Sequence, residues 1–202
     1  MQMLLSSQIN TRHTQIEQVQ PMVKSHRESS DFDQISSIPI EIGNPMFNQV
    51  LSMAFSPDGK WLAIAVSHGA ICLYELDHSI LVYTFKEGHQ KAVYGVDFHP
   101  TKSWLASGGE DGLVCLWDIS NKKLLYTFSG HSACVKSVVF HPNQKWLASG
   151  SHDGTVSIWD TENHKLIHHF QEVAKGEIWN ILFNPKGEWL VGVNNDQIHV
   201  WN

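Results

Sequence analysis

Four phenylalanines stand in step along this chain: Phe55, Phe98, Phe140 and Phe183 are separated by 43, 42 and 43 residues. Pro57, Pro100, Pro142 and Pro185 keep the same steps, and so do Trp61, Trp104, Trp146 and Trp189. A closing aromatic follows in each copy: Tyr74, Trp117, Trp159 and Trp201. Chance does not hold so many landmarks in phase. One supersecondary unit is written four times, and such units bury their faces against one another rather than alone.

Within a copy the pattern is that of short strands. Val135–Phe140 is apolar enough for an inner strand covered on both faces, and it runs into a Pro-containing turn, His141-Pro142-Asn143-Gln144. Trp146–Gly150 predicts a second strand. Asp153-Gly154 signals a tight turn before Thr155–Trp159, where Val156 and Ile158 alternate with Thr155, Ser157 and Trp159. Lys165–Phe170 predicts a fourth, outer strand, and helical periodicity is absent from the repeats. Phe85, Phe128 and Phe170 lie eight, seven and eight residues before the inner-strand positions Val93, Val135 and Ile178. Ile42 lies eight before Val50, so Ile38–Ile42 reads as one more outer strand, which Pro39 confines to an edge. The last copy closes at Trp201-Asn202 with no outer strand after it.

Two copies carry more. Gly88-His89 to Trp117-Asp118 and Gly130-His131 to Trp159-Asp160 each open on Gly-His and close on Trp-Asp, with an Asp-Gly turn between. On these residues the chain resembles the WD40 repeat family, over about four-fifths of its length, residues 37–202. The resemblance implies an all-β fold, a β-propeller of four four-stranded blades. It also implies a role for two sets of side chains: His89, Ser107, Asp111 and Trp117, and His131, Ser149, Asp153 and Trp159. Each set would form a structural hydrogen-bond network, from indole N–H to hydroxyl to imidazole to carboxylate. Buried His, Ser and Trp N–H groups need such partners. The same residues invite comparison with a Ser-His-Asp hydrolase. Two copies at the repeat phase fit a building rule better than one active site, and no Gly-x-Ser-x-Gly elbow is present, so no catalytic residue is expected. The first copy has Ile64, His68 and Tyr74 where the networks have Ser, Asp and Trp, and the last has Gly192 for Ser. Those two blades are expected to rest on apolar packing and to be the softer ones.

In this family function usually lies on the rim that carries the turns between outer and inner strands. The resemblance puts Ala92, Tyr94, Cys134, Lys136, Glu177 and Trp179 there, with Glu110, His152 and Asn195 ahead of the tight turns. Tyr94, Glu110, Lys136, His152 and Trp179 are the candidate partner-binding face. Tyr94 and Trp179 serve either as exposed anchors or as packing over the central channel. The expected function is a non-enzymatic protein-protein interaction scaffold. The alternatives are a small-molecule-binding or enzymatic propeller using the channel, where the inner strands offer Asp97, Lys136 and Asn180, and a fragment of a longer repeat protein.

Charge and cysteine usage narrow the partners. The net charge is −6 with no long basic run, which argues against nucleic acid and an anionic membrane surface. No apolar run approaches a membrane span, and the N-terminal residues lack the basic and apolar regions of a secretory leader. Three cysteines cannot build a disulfide framework; Cys72 and Cys115 share a repeat phase and read as buried thiols in a reducing, cytoplasmic setting. His164, His168 and His169 lack a ligand spacing, so neither metal nor cofactor is expected. Residues 1–36 contain no Trp, Tyr, Cys or Gly and read as a polar flexible tail. The complementary ends also raise a homodimer, two chains completing an eight-bladed ring with each lending Ile38–Ile42 to the other. Closure as a single small ring and pairing with a different propeller-forming chain are the rival assemblies.

Overall fold

A computed structural model of the protein describes residues 49–171 and 176–202. Among them every regular element is a strand, and the strands fall into antiparallel sheets that follow the repeat. The first is β1 (Val50–Phe55), β2 (Trp61–Val66), β3 (Ile71–Glu75) and β4 (Ile80–Phe85). The second is β5 (Val93–Phe98), β6 (Trp104–Gly109), β7 (Val114–Asp118) and β8 (Lys123–Phe128). The third is β9 (Val135–Phe140), β10 (Trp146–Ser151), β11 (Val156–Asp160) and β12 (Lys165–Phe170). The fourth has three strands among the described residues, β13 (Asn180–Phe183), β14 (Leu190–Val193) and β15 (Ile198–Trp201). The expected four strands hold in blades 1–3, and β15 is the last strand of blade 4 among the described residues. The segment Ile38–Ile42 and the tail at 1–36 lie outside the described residues.

Register decides which side chains share a face. In blade 3, Leu147 pairs with Trp159 and Ser149 with Ser157, while Ala148 pairs with Ile158 and Gly150 with Val156. The first set turns toward blade 2, packing with Ala106, Val114 and Leu116; the second turns toward blade 4, packing with Ile178, Ile181 and Leu190. Leu105 and Trp117 of blade 2 likewise pack on Ala63, Ile71 and Leu73 of blade 1. The core thus lies in the seams between blades, which is why both faces of the middle strands of blades 2 and 3 are buried. Small residues on the second strand let the next inner strand approach. A Cβ on Gly108 would sit 2.5 Å from Val135 Cγ1, and one on Gly150 2.7 Å from Ile178 Cγ2.

Inner strands of successive blades are also stitched by side chains that accept a neighbour's backbone N–H. Ser52 Oγ accepts from Val96 at 3.3 Å, Asp97 Oδ2 from Phe140 at 2.7 Å, and Ser137 Oγ from Ile181 at 3.2 Å. These bonds fix the order of the inner strands, so residues at one repeat phase emerge side by side on the rim.

Candidate functional site

The two sets of Trp, Ser, His and Asp come together as chains of hydrogen bonds inside blades 2 and 3. Trp117 Nε1–H donates to Ser107 Oγ at 2.8 Å, His89 Nε2 hydrogen-bonds the same hydroxyl at 2.8 Å, and His89 Nδ1–H donates to Asp111 Oδ1 at 3.0 Å. The directions at the two ends follow because indole can only donate and a carboxylate only accept. In blade 3, Trp159 donates to Ser149 at 2.8 Å, Ser149 to His131 at 2.7 Å, and His131 to Asp153 at 3.2 Å. Each carboxylate then takes backbone donors: Gln90 and Leu113 for Asp111, Ser132 and Thr155 for Asp153. Burial opposes both charges, yet the histidine bonded to each carboxyl, with the Thr155 hydroxyl at Asp153 and then the backbone donors, holds the two below the usual carboxylate range. Burial also opposes a charged His89, but the Asp111 carboxylate and Cys115 beside the ring outweigh it and carry that imidazole up to about 9. Ser107 and Ser149 are fully buried, so neither hydroxyl is offered to a substrate.

The end blades replace this chemistry. In blade 1, Tyr74 and Ile64 join Val66, Ala70 and Cys72 in an apolar cluster. In blade 4 a Cβ on Gly192 would lie 3.0 Å from the Trp201 indole, so the ring occupies the space a serine needs. His199 stacks against Trp201, its centroid 6.0 Å away, and its Nε2 is buried without a hydrogen-bond partner among the described residues.

On the rim, Tyr94 and Lys136 are the second residues of β5 and β9, and Trp179 directly precedes β13. Their common phase brings them together. Lys136 Nζ lies 3.3 Å from the Tyr94 ring centroid and 5.3 Å from that of Trp179. His152, whose N–H donates to Cys134 O at 2.9 Å, meets the Trp179 ring edge-on at 4.6 Å. Its Nδ1 is 3.4 Å from Glu177 Oε1, and burial with Lys136 nearby holds the ring below its ordinary pKa. Four of the five residues of the candidate partner-binding face therefore form one continuous cluster, joined by Glu177 of the same rim. Glu110 stands beside it, paired with Lys91 at 3.9 Å. A cleft of about 340 Å³ opens beneath, lined by Ser52, Tyr94, Asp97, Lys136, Trp179 and Asn180. Burial pushes the Asp97 carboxyl up to about 6, against the pull of the Phe140 N–H.

The arrangement matches a known family. The model of the WD domain, G-beta repeat, aligns with residues 43–75, 79–118, 122–160 and 162–202. The chain belongs to the WD40 repeat family. No curated protein matches it. As in other WD40 chains, the sheets here are blades of a β-propeller, and each match ends on the third strand of one sheet, the second to fourth matches beginning on the outer strand of the sheet before.

One feature of this WD40 chain escaped the sequence reading, although it is printed twice as Phe-His-Pro. His99 Nε2–H donates to Gln144 O and His141 Nε2–H to Gly187 O, both at 2.8 Å and both across a seam into the next blade. Each ring packs edge-on against the next blade's phenylalanine, Phe140 at 5.0 Å and Phe183 at 4.5 Å. The His99 Nδ1 accepts from Thr101 and Lys102, so this ring must stay neutral, and burial holds its pKa down accordingly. Ser56 occupies the same phase in blade 1 and bonds within its own turn to Asp58, leaving a cavity of about 320 Å³ at that seam. The histidines first weighed as metal ligands go three ways. His164 stacks on Tyr126, His168 packs on Phe170, and His169 Nδ1 bonds Ser157 Oγ. Among the described residues no group of His, Cys, Asp and Glu could hold a metal ion, and no helix is long and apolar enough to cross a membrane.

Proposed function

We propose that this WD40 chain is a non-enzymatic protein-interaction scaffold, working in the cytoplasm, and that the rim carrying Tyr94, Glu110, Lys136, His152 and Trp179 is its binding face. The observation behind this reading is the Lys136 ammonium held over two aromatic rings from neighbouring blades. Aromatics on a rigid surface lose little entropy when a partner covers them, and a cation among them adds direction. Trp179 is exposed and Tyr94 half-buried, which suits anchors better than channel packing. Residues 1–36 are a polar tail by composition, and the partners are proteins rather than nucleic acid or membrane. Tyr94→Ala with Trp179→Ala tests the reading: pull-down of the partner falls at least tenfold while the near-ultraviolet circular dichroism stays native. Loss of the native spectrum instead assigns both rings to packing and ends the proposal.

A second reading has one observation in its favour. The cleft of about 340 Å³ gathers Asp97, Lys136 and Asn180, a carboxyl raised by burial to about 6 beside a cation and an amide. A small polar ligand would fit such a set. Thermal shift against a metabolite panel separates the two readings, since a scaffold without a ligand shows no shift.

A further inference from the structure

Exposure at matched repeat positions singles out two surfaces. Ile198 and Val200 on β15 are 72% and 57% exposed, whereas their equivalents Val114 and Leu116, and Val156 and Ile158, are 8% exposed or less. Met53 and Phe55 on β1 are 65% and 66% exposed, against 8% or less for Val96 and Phe98 and for Val138 and Phe140. Leu182 and Trp189 extend the first surface, so blade 4 presents a continuous apolar face of the kind that soluble proteins cover.

The two surfaces are not alike; they are opposite halves of one joint. At each seam inside the chain, the face bearing the Val114 and Leu116 type of residue meets the face bearing the Val138 and Phe140 type. Blade 4 offers the first half, and blade 1 the second. We propose that a second copy of this chain covers them, the blade 1 face of one seated on the blade 4 face of the other, with the same joint made twice around a two-fold axis. Seated this way, each copy covers both exposed faces of the other. The stitching pattern points the same way. Asn180 stands at the phase of Ser52 and Ser137 and is exposed; its Oδ1 accepts from Ser137 Oγ at 2.9 Å and keeps a second lone pair for the Met53 N–H of the partner, as Ser52 and Ser137 accept Val96 and Ile181.

The new joint is not a copy of the internal ones in every detail. Val193 stands where Ala65, Gly108 and Gly150 admit the next inner strand, so the partner's Val50 must sit further out than Val135 or Ile178 do. On blade 1 the open part is the inner-strand half, because Cys72 and Tyr74 on the same face are buried. The proposal does not depend on the rim being a binding face, since no residue is shared between the two.

Light scattering after gel filtration of the full chain tests it. The expected result is a single species at twice the 22.9 kDa chain mass. Phe55→Glu or Ile198→Lys alone should give the one-chain mass with native circular dichroism, as both side chains are exposed. Mixing the two variants should restore a two-chain species, because one joint then has both native halves. A one-chain mass for the unaltered protein overturns the proposal, whether those faces are bare or covered by the chain's own residues. A mass that climbs with concentration overturns it too, as does failure of the mixture to pair.

Discussion

Blades 2 and 3 and blades 1 and 4 are built from the same repeat but held differently. The middle pair carries a polar chain through its interior, with Ser107 and Ser149 each shared between an indole and an imidazole. It also sends a histidine across each following seam, into Gln144 and Gly187. The end pair has Ile64 and Gly192 at the serine phase and Ser56 and Asn184 at the histidine phase. Apolar packing is therefore enough to form a blade of this fold, and the hydrogen-bond chain is an addition that rigidifies one. A satisfied buried network of this kind resists local opening, whereas removal of one member leaves the others unpaired at the full desolvation cost.

The largest expected effect comes from making one substitution in both kinds of blade. Trp117→Phe and Trp201→Phe remove the same indole volume, but only the first takes a donor from a buried serine hydroxyl. Trp117→Phe should cost about 3 kcal/mol in urea unfolding and Trp201→Phe about 1 kcal/mol. Native-state hydrogen exchange should follow, slower in β6–β7 and β10–β11 than in β2–β3 and β14–β15. Equal costs and uniform protection would break the comparison, because the polar chain would then add nothing to packing.

Much of this contrast was legible beforehand. The period fixed four blades, and the departures at Ile64, Tyr74 and Gly192 marked which blades lack the network. The rim cluster was legible as well, because Tyr94, Lys136 and Trp179 share a phase and the inner strands stand in order. What could not be read is the work of residues that act between blades. His99 and His141 follow a phenylalanine and precede a proline, which signals a turn and nothing more. Their acceptors lie 45 and 46 residues away, at carbonyls no side-chain pattern can mark. Gly108 and Gly150 were similarly silent, since their value lies in the valine and isoleucine that fill the space above them. Burial of Asp97 was equally hidden, because a carboxylate in an inner strand looks solvent-facing until the neighbouring blade covers it.

A smaller effect sharpens the comparison at the seams. His99→Ser gives blade 2 the residue that blade 1 has as Ser56, and leaves Gln144 O and two turn N–H groups without the ring. The expected loss is about 2 kcal/mol at pH 8. Its pH dependence has a definite sign. Burial sets the folded pKa of His99 below its ordinary value, so its contribution is present above that value and is lost as pH falls through it. The gap between the unaltered chain and the variant should therefore narrow below about pH 6.5. A gap that stays constant or widens in acid would show that the ring is not held neutral across the seam.

The smallest expected effect is a gain, and it falls inside the well-braced region. Asp97 is largely buried at the seam of blades 2 and 3, where its equivalents are Ala54, Val139 and Leu182, and its carboxyl is raised from 3.8 to about 6. A carboxyl with a raised folded pKa favours the protonated state, so ionising it at higher pH costs stability. Each pKa unit is worth about 1.4 kcal/mol in an unscreened site. Water in the adjoining cleft reduces the whole effect to about 1–2 kcal/mol. Asp97→Asn keeps an oxygen to accept the Phe140 N–H and removes the charge, so it should stabilise the chain by that amount at pH 8 and by almost nothing at pH 4. Chemical unfolding at the two pH values checks both halves of the claim. A variant less stable than the unaltered chain at pH 8 would mean that the ionised carboxylate is needed to join the two inner strands. Blade 2 would then owe its firmness to charge at the seam as well as to its indole network.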